Sequence, residues 1–286
     1  MKPAPFRYEA PGTIDQVLEL LDRYGDDAKV LAGGQSLLPM MALRLAAPEV
    51  LIDLSRVAGV GGYTDGSDGW RYGAGVVHSE FEDGRVPDGT GGLLPAAAQG
   101  IGYRAIRNRG TLGGSLAHAD PSAEWPTVMA ALGATCTARS LAADDRDIPA
   151  RSFTEGFFAN ALGPTEVLTS VYVPTLPRGT RWGYHKACRK PGEFSDSLAV
   201  ALVSLDSGLV SQATIWLGAA AEVPAPVTAL CEALRGRALA DVTKQEVLGE
   251  VEASLPRART AEERYRVHRH GITAWRALRQ LQEGTG

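Results

Sequence analysis

The sequence predicts an α+β protein in two unequal parts, and three observations carry that expectation. Strand-like and helix-like segments alternate as β-α-β-α-β over residues 1–55. Beyond the punctuating prolines Pro174 and Pro177, strand-like runs come first and helices last, the order of an α+β layer. Two glycine-rich loops, Ala32-Gly33-Gly34-Gln35-Ser36 and Gly110-Thr111-Leu112-Gly113-Gly114-Ser115, lie far apart within the first part. The expected division is residues 1–176, as lobes 1–55 and 56–176, followed by a smaller domain over 177–286.

Phe6–Ala10 has strand composition. Thr13 and Gln16 have capping-box spacing, and Ile14, Val17, Leu18 and Leu21 recur on one face of an amphipathic helix. Gly25 stands where that helix would stop. Lys29–Ala32 is a β-type run feeding the first glycine loop. Leu37–Leu45 follows with near-helical apolar spacing; Pro39 is tolerated in its first turn because N–H groups there have no helical acceptor. Val50–Leu54 reads as the next strand. In the second lobe Trp70–Val77 alternates as a strand, Leu93–Ile106 and Glu124–Leu132 read as helices, and Ala134–Arg139 and Val167–Val173 have β composition.

Past the prolines, Arg181–Cys188 alternates strictly and puts Trp182, Tyr184, Lys186 and Cys188 on one face. Leu198–Leu205 and Gln212–Leu217 continue as strands. Val227, Leu230, Cys231 and Leu234 mark a helix stopped near Gly236. Thr243 with Glu246, and Thr260 with Glu263, are capping boxes that open two more.

Composition narrows the function classes. At 286 residues, with 44% hydrophobic and 22% charged residues, the chain is an ordinary globular protein of about two domains. A net charge of −4 gives no global attraction for nucleic acid. The longest apolar run, Leu198–Leu205, is far short of a membrane span, and MKPAPFRYEAPGT lacks the apolar core of a signal peptide, so a cytoplasmic protein is expected. Cys136, Cys188 and Cys231 are too scattered for a disulfide framework or an iron–sulfur ligand set, and no metal is expected.

The glycine loops are the chemical signal. Only glycine lets a backbone turn sharply and still bring N–H groups within bonding distance of a phosphate oxygen. A strand, a glycine loop and a helix start make an anion site, and two such loops suit two adjacent phosphates. Neither loop has the G-x-G-x-x-G spacing, and no G-x-x-x-x-G-K-[ST] occurs. From the residues alone the loops fit either a pyrophosphate cradle or two plain turns.

The run AGGQSLLPMMALRLAAPEVLIDLSRV, followed by RNRGTLGGSLAHADPSAEWPTVMAALGA, closely resembles the FAD-binding (medium) subunit of molybdenum hydroxylases, above all the carbon monoxide dehydrogenase type. The resemblance continues through SFTEGFFANALGPTEVLTSVYVP and YHKACRKPGEF and thins after about residue 205. It implies the FAD-binding fold of p-cresol methylhydroxylase type, followed by a smaller α/β domain of antiparallel strands plus helices. It also implies FAD as cofactor, with the redox chemistry carried by the flavin. Residue by residue, it implies a pyrophosphate cradle of Leu31, Ala32, Gly33, Gly34, Gln35 and Ser36, completed by Thr111, Gly114 and Ser115. Asp120 and Glu124 match a region that contacts the adenosine end in relatives, which usually have Asp at the second position. Leu162 matches a leucine packed near the flavin, or is an ordinary core leucine. Lys186 either snorkels to the surface or reaches the flavin's pyrimidine edge as a cation; the aromatic face of its strand favours the latter. Phe194 matches a residue against the isoalloxazine ring, and Lys190-Pro191-Gly192 reads as a mobile loop gating the flavin.

The remaining candidates have simpler readings. His118 is either part of a dyad with Asp120 or a histidine that orders the loop. His268 and His270, two apart, lie on different faces of a helix and do not make a metal pair. Arg257–Arg279 marks a solvated helix face or a docking surface for an acidic partner, with Tyr265, Ile272, Trp275 and Leu278 packing inward. Arg107 and Arg109 could offset phosphate charge. The resemblance implies that FAD takes electrons from the iron–sulfur clusters of a small subunit, fed by a molybdenum-binding large subunit, and passes them to a small-molecule acceptor. The alternative is a stand-alone flavin oxidase or dehydrogenase acting directly on a small organic substrate.

Overall fold

A computed structural model describes residues 2–283. The chain opens with β1 (Arg7–Glu9), α1 (Ile14–Tyr24), β2 (Ala28–Leu31), α2 (Leu37–Ala42) and β3 (Val50–Asp53). The three strands form a parallel sheet in the order β1-β3-β2. Thr13 caps α1 by accepting the Gln16 N–H at 3.3 Å, while the Gln16 amide oxygen takes the N–H of Gly12 at 2.9 Å. Gly25, at φ 50°, ends it. Val17, Leu18 and Leu21 bury against Val50 and Ile52. The helix expected over Leu37–Leu45 stops at Ala42, because Arg44 turns into the left-handed region at φ 58°.

The next lobe contains β4 (Tyr63–Asp65), β5 (Gly69–Gly73), α3 (His78–Glu82), α4 (Leu93–Gln99), α5 (Arg104–Arg107), α6 (Leu112–His118) and α7 (Glu124–Ala131). It continues with β6 (Thr135–Arg139), β7 (Arg146–Pro149), the hairpin β8 (Thr154–Gly156) and β9 (Ala159–Asn160), and β10 (Val167–Pro174). Its antiparallel sheet runs β4-β5-β10-β6-β7. Helix α7 is buried on every side, which is why it reads as apolar composition rather than as a stripe. Leu93–Ile106, expected as one helix, is broken at Gly100–Tyr103, where Gly102 adopts φ 51°.

The last part holds β11 (Thr180–Ala187), β12 (Ser197–Asp206), β13 (Leu209–Gly218), β14 (Ala225–Pro226), α8 (Thr228–Leu234), α9 (Lys244–Ser254) and α10 (Ala261–Glu283). The four strands form an antiparallel sheet in chain order. This sheet is the wall between two cores. Val200 and Leu202 face the core built around Trp125, whereas Ala199, Ala201 and Val203 face the one under α10. Alternation puts successive residues on opposite faces, so a strand buried on both sides is apolar throughout. Helix α10 comes close enough to β11 that a Cβ on Gly183 would sit 2.8 Å from the Ala277 carbonyl carbon. Tyr265 does not pack inward as expected; it is 63% exposed and lies under the Arg269 guanidinium.

His270 is buried in this layer, 2.7 Å from the Ser197 hydroxyl through Nδ1, and burial lowers its pKa to about 4. The unfolded chain therefore binds a proton below about pH 6.5 that the folded protein refuses until about pH 4. Stability is expected to fall as pH drops through that interval. His270→Gln should flatten the fall, as read by urea denaturation at pH 7.5, 6 and 5.

Candidate functional site

The two glycine loops meet. The first follows the carboxyl end of β2, the side on which ligands sit in parallel α/β sheets. A Cβ on Gly33 would stand 2.7 Å from Gly110 Cα, so only a glycine lets the loops touch at this point. From the other side, a Cβ on Gly114 would stand 3.1 Å from the Ala32 Cβ. Gly34 adopts φ 73°, which turns the chain back after β2.

The two loops differ in what they offer. Among the described residues, the N–H groups of Gly33, Gly34, Gln35 and Ser36 donate to no protein acceptor, and the Gln35 amide folds back onto Gly33 O at 3.1 Å. The second loop is internally committed. Leu112 N bonds Val76 O, Gly113 N bonds Ala74 O, and Gly114 N bonds the Thr111 hydroxyl at 3.0 Å. The first loop thus carries free donors, and the second forms the wall that shapes it. Both helices that follow are short, so attraction for an anion rests on individual N–H groups rather than on a long helix dipole. Thr111→Val removes the cap of α6; a loss of about 1 kcal/mol in stability is expected, read by thermal melting.

The wall is held from behind by a buried histidine. Trp125 Nε1–H donates to His78 Nδ1 at 3.0 Å, which fixes the proton of the neutral ring on Nε2, and His78 N bonds Gly110 O. Burial drives this imidazole's pKa down to about 3. Nothing local in the sequence marked His78, whose partners arrive from α7 and the glycine loop.

Glu124 and Lys186, expected at opposite ends of a dinucleotide, form one ion pair. Lys186 Nζ stands 2.6 Å from Glu124 Oε1 and 2.9 Å from Gly100 O, and the lysine and glutamate side chains are 8% and 5% exposed, respectively. Burial pushes the Glu124 carboxyl above its usual range, and the lysine pulls it part of the way back. Glu124, expected at the adenosine end, has one carboxylate oxygen engaged by Lys186. The face Trp182, Tyr184, Lys186 packs against the first core, with Trp182 Nε1 donating to Gly91 O at 2.7 Å. The Tyr184 hydroxyl is buried without a hydrogen-bond partner among the described residues, 3.1 Å from where a Gly100 Cβ would stand.

The segment from Ala119 to Ser122 is tied down by three other parts of the chain. Ala119 O accepts from Phe158 N, Pro121 O from Ala219 N and Ser122 O from Ser195 N. Asp120 spends one carboxylate oxygen on Ser122 N at 2.8 Å. Leu162 packs at the edge of the first core, its N–H held by Asn160 Oδ1 at 2.8 Å. The Lys190–Gly192 turn lies on the Gly102–Tyr103 turn, where a Gly192 Cβ would stand 2.9 Å from Gly102 O. Phe194 next to it is 64% exposed. The His118 ring lies tilted against Phe158, with centres 5.0 Å apart, and among the described residues it makes no hydrogen bond with Asp120. Arg107 is spent on Glu82 and on Ile101 O and Gly102 O, whereas Arg109 makes no ion pair among the described residues. His270 serves the fold. No group of three His, Cys, Asp or Glu among the described residues is placed to hold a metal ion.

Free backbone N–H donors where two distant glycine loops meet make an arrangement suited to an anionic ligand such as a phosphate. Residues 4–176 match the family described as FAD binding domain in molybdopterin dehydrogenase, and residues 182–281 match the CO dehydrogenase flavoprotein C-terminal domain. The chain belongs to the FAD-binding medium subunits of the molybdenum hydroxylases; it is an FAD-dependent oxidoreductase subunit. It is 38% identical over 216 residues to the alpha subunit of the 6-hydroxypseudooxynicotine dehydrogenase complex of Paenarthrobacter nicotinovorans, covering 75% of this chain and 73% of that one. It is 33% identical over 264 residues to the carbon monoxide dehydrogenase medium chain of Hydrogenophaga pseudoflava, covering 92% and 90%. The solved Hydrogenophaga pseudoflava carbon monoxide dehydrogenase lacking the Mo-pyranopterin moiety superimposes with a TM-score of 0.90 at 33% identity over 98% of both chains. Quinoline 2-oxidoreductase from Pseudomonas putida 86 does so with a TM-score of 0.90 at 32% identity over 99% of both. No helix among the described residues is long and apolar enough to cross a membrane.

Proposed function

We propose that this chain is the electron-relay subunit of a larger dehydrogenase, working with a molybdenum-binding large subunit and an iron–sulfur small subunit. Bound FAD supplies two-electron chemistry that can be emptied into a small-molecule acceptor. The chain's own residues bind and orient it. The N–H groups of Gly33, Gly34, Gln35 and Ser36 hold the pyrophosphate, Leu31 and Ala32 lead into that loop, and Thr111, Gly114 and Ser115 close its far side. Lys186 lies toward the flavin's pyrimidine edge with Glu124 as its partner, and Leu162 and Phe194 flank the ring. Asp120 shapes the segment between them. Residues 1–176 form the FAD domain in this reading, and 177–286 supply Lys186 and Phe194 from a second domain.

The observation that carries the reading is the contact between two distant glycine loops, one of which has four unengaged N–H donors. The relatives' names support the relay role, since they are a complex subunit, a medium subunit and medium chains. The test is reduction of the FAD-loaded chain by candidate substrates, alone and with co-purified partner subunits. Bleaching of the flavin only in the presence of partners is expected. Turnover of a small organic substrate by the chain alone would establish the stand-alone flavin enzyme instead.

A further inference from the structure

Lys186 has three N–H donors, and two are taken within the protein, by Glu124 Oε1 at 2.6 Å and Gly100 O at 2.9 Å. One donor remains for a ligand. The same ammonium is almost fully countered by the carboxylate it touches, in a site that water barely reaches. Asp120 is the other charge acting on Glu124, and it has the same sign; on the facing strand the buried Tyr184 phenol is held uncharged well above its ordinary pKa by burial, and Arg181 and His185 are that strand's other titratable groups. The pair therefore presents little net charge, unlike the bare cation that Lys186 alone would be.

We propose that Glu124 is a positioning residue that sets the flavin's reduction potential through Lys186, by presenting a neutral ion pair instead of an isolated ammonium to the flavin. This rests on the reading that places Lys186 at the pyrimidine edge. Reduction adds negative charge to the ring, so an unpaired cation there favours the reduced form and a paired one does so far less. Glu124 also fixes Lys186 geometrically, because its backbone starts α7, a helix buried on all sides.

The test is the midpoint potential of the FAD-loaded full chain, measured by spectroelectrochemical titration. Glu124→Gln should shift it upward, because it removes the negative counter-charge that touches Lys186. Glu124→Asp, which retains a carboxylate, should stay nearer the wild type. In Lys186→Met the buried carboxyl has no cation, so at acid pH it holds a proton and the local charge matches the native pair. Relative to wild type, that variant's potential should fall as pH rises through the carboxyl's titration. This profile decides the matter if Glu124→Gln does not fold. An unmoved Glu124→Gln with a pH-independent drop in Lys186→Met would overturn the role of Glu124 while leaving Lys186 at the flavin. No shift in either variant, with FAD still bound, would remove the pair from the flavin altogether and take the underlying reading with it.

Discussion

Gly33→Ala is expected to weaken FAD binding markedly. The added methyl would stand 2.7 Å from both the Arg109 carbonyl carbon and Gly110 Cα, and these are backbone atoms that no rotamer change can move. The strand β2 fixes one side of the contact. On the other side, the second loop is bonded to Ala74, Val76 and His78. The strain must separate the loops, at a cost of about 1–3 kcal/mol in stability. A cradle opened at its narrowest point would lose at least about tenfold in affinity, since tenfold needs only ~1.4 kcal/mol.

Neighbouring glycines should rank below it for identifiable reasons. A Cβ on Gly114 would meet the Thr111 hydroxyl at 2.8 Å, so Gly114→Val should also release flavin while breaking the cap of α6. At Gly34 the nearest atom is the tip of Leu38, 2.9 Å away and able to turn aside, so the cost of Gly34→Val is the φ of 73° rather than space. Gly249→Ala in α9, where nothing lies within 4 Å, should keep its flavin and gain up to about 1 kcal/mol. Flavin-to-protein absorbance ratios and melting temperatures of the four variants check the order. Stoichiometric flavin in Gly33→Ala would mean that the ligand's phosphates lie elsewhere.

What was legible in the sequence was what is local. The apolar stripe of α1 and its glycine stop, the boxes at Thr243–Glu246 and Thr260–Glu263, and the alternating face of β11 all rest on spacings of a few residues. Strands such as Tyr63–Asp65 and Arg146–Pro149, and the helix His78–Glu82, are too short to display a period and form because longer neighbours offer them partners. The break inside Leu93–Ile106 has a tertiary cause as well as a glycine, because Gly100 O is drawn to Lys186 from β11. The same distance problem hid the ion pair. Glu124 and Lys186 are 62 residues apart, and no local spacing links the two motifs that carry them. The loops were the exception, because their composition signalled one shared purpose and the resemblance joined them.

Lys186→Met is expected to destabilise the fold strongly, and by an amount that depends on pH. Removing one partner of a buried pair leaves the other charge without compensation, which costs about 3–5 kcal/mol. Here the survivor is a carboxyl, which can escape the penalty by taking a proton. Burial already holds the Glu124 pKa above its ordinary value with the lysine present, and without that cation the upward displacement must grow. A group whose folded pKa exceeds its unfolded one loses stability as pH rises through the folded value. The variant should therefore come closest to wild type near pH 5 and be weakest near pH 8, in paired urea denaturation curves. Glu124→Gln in the same background, Lys186→Met/Glu124→Gln, should remove the part of the pH dependence that Glu124 causes and recover part of the loss, because an amide carries no charge to strand. A deficit that is the same at both pH values would mean that the carboxylate reaches water, and that the pair is not sealed between β11 and α7.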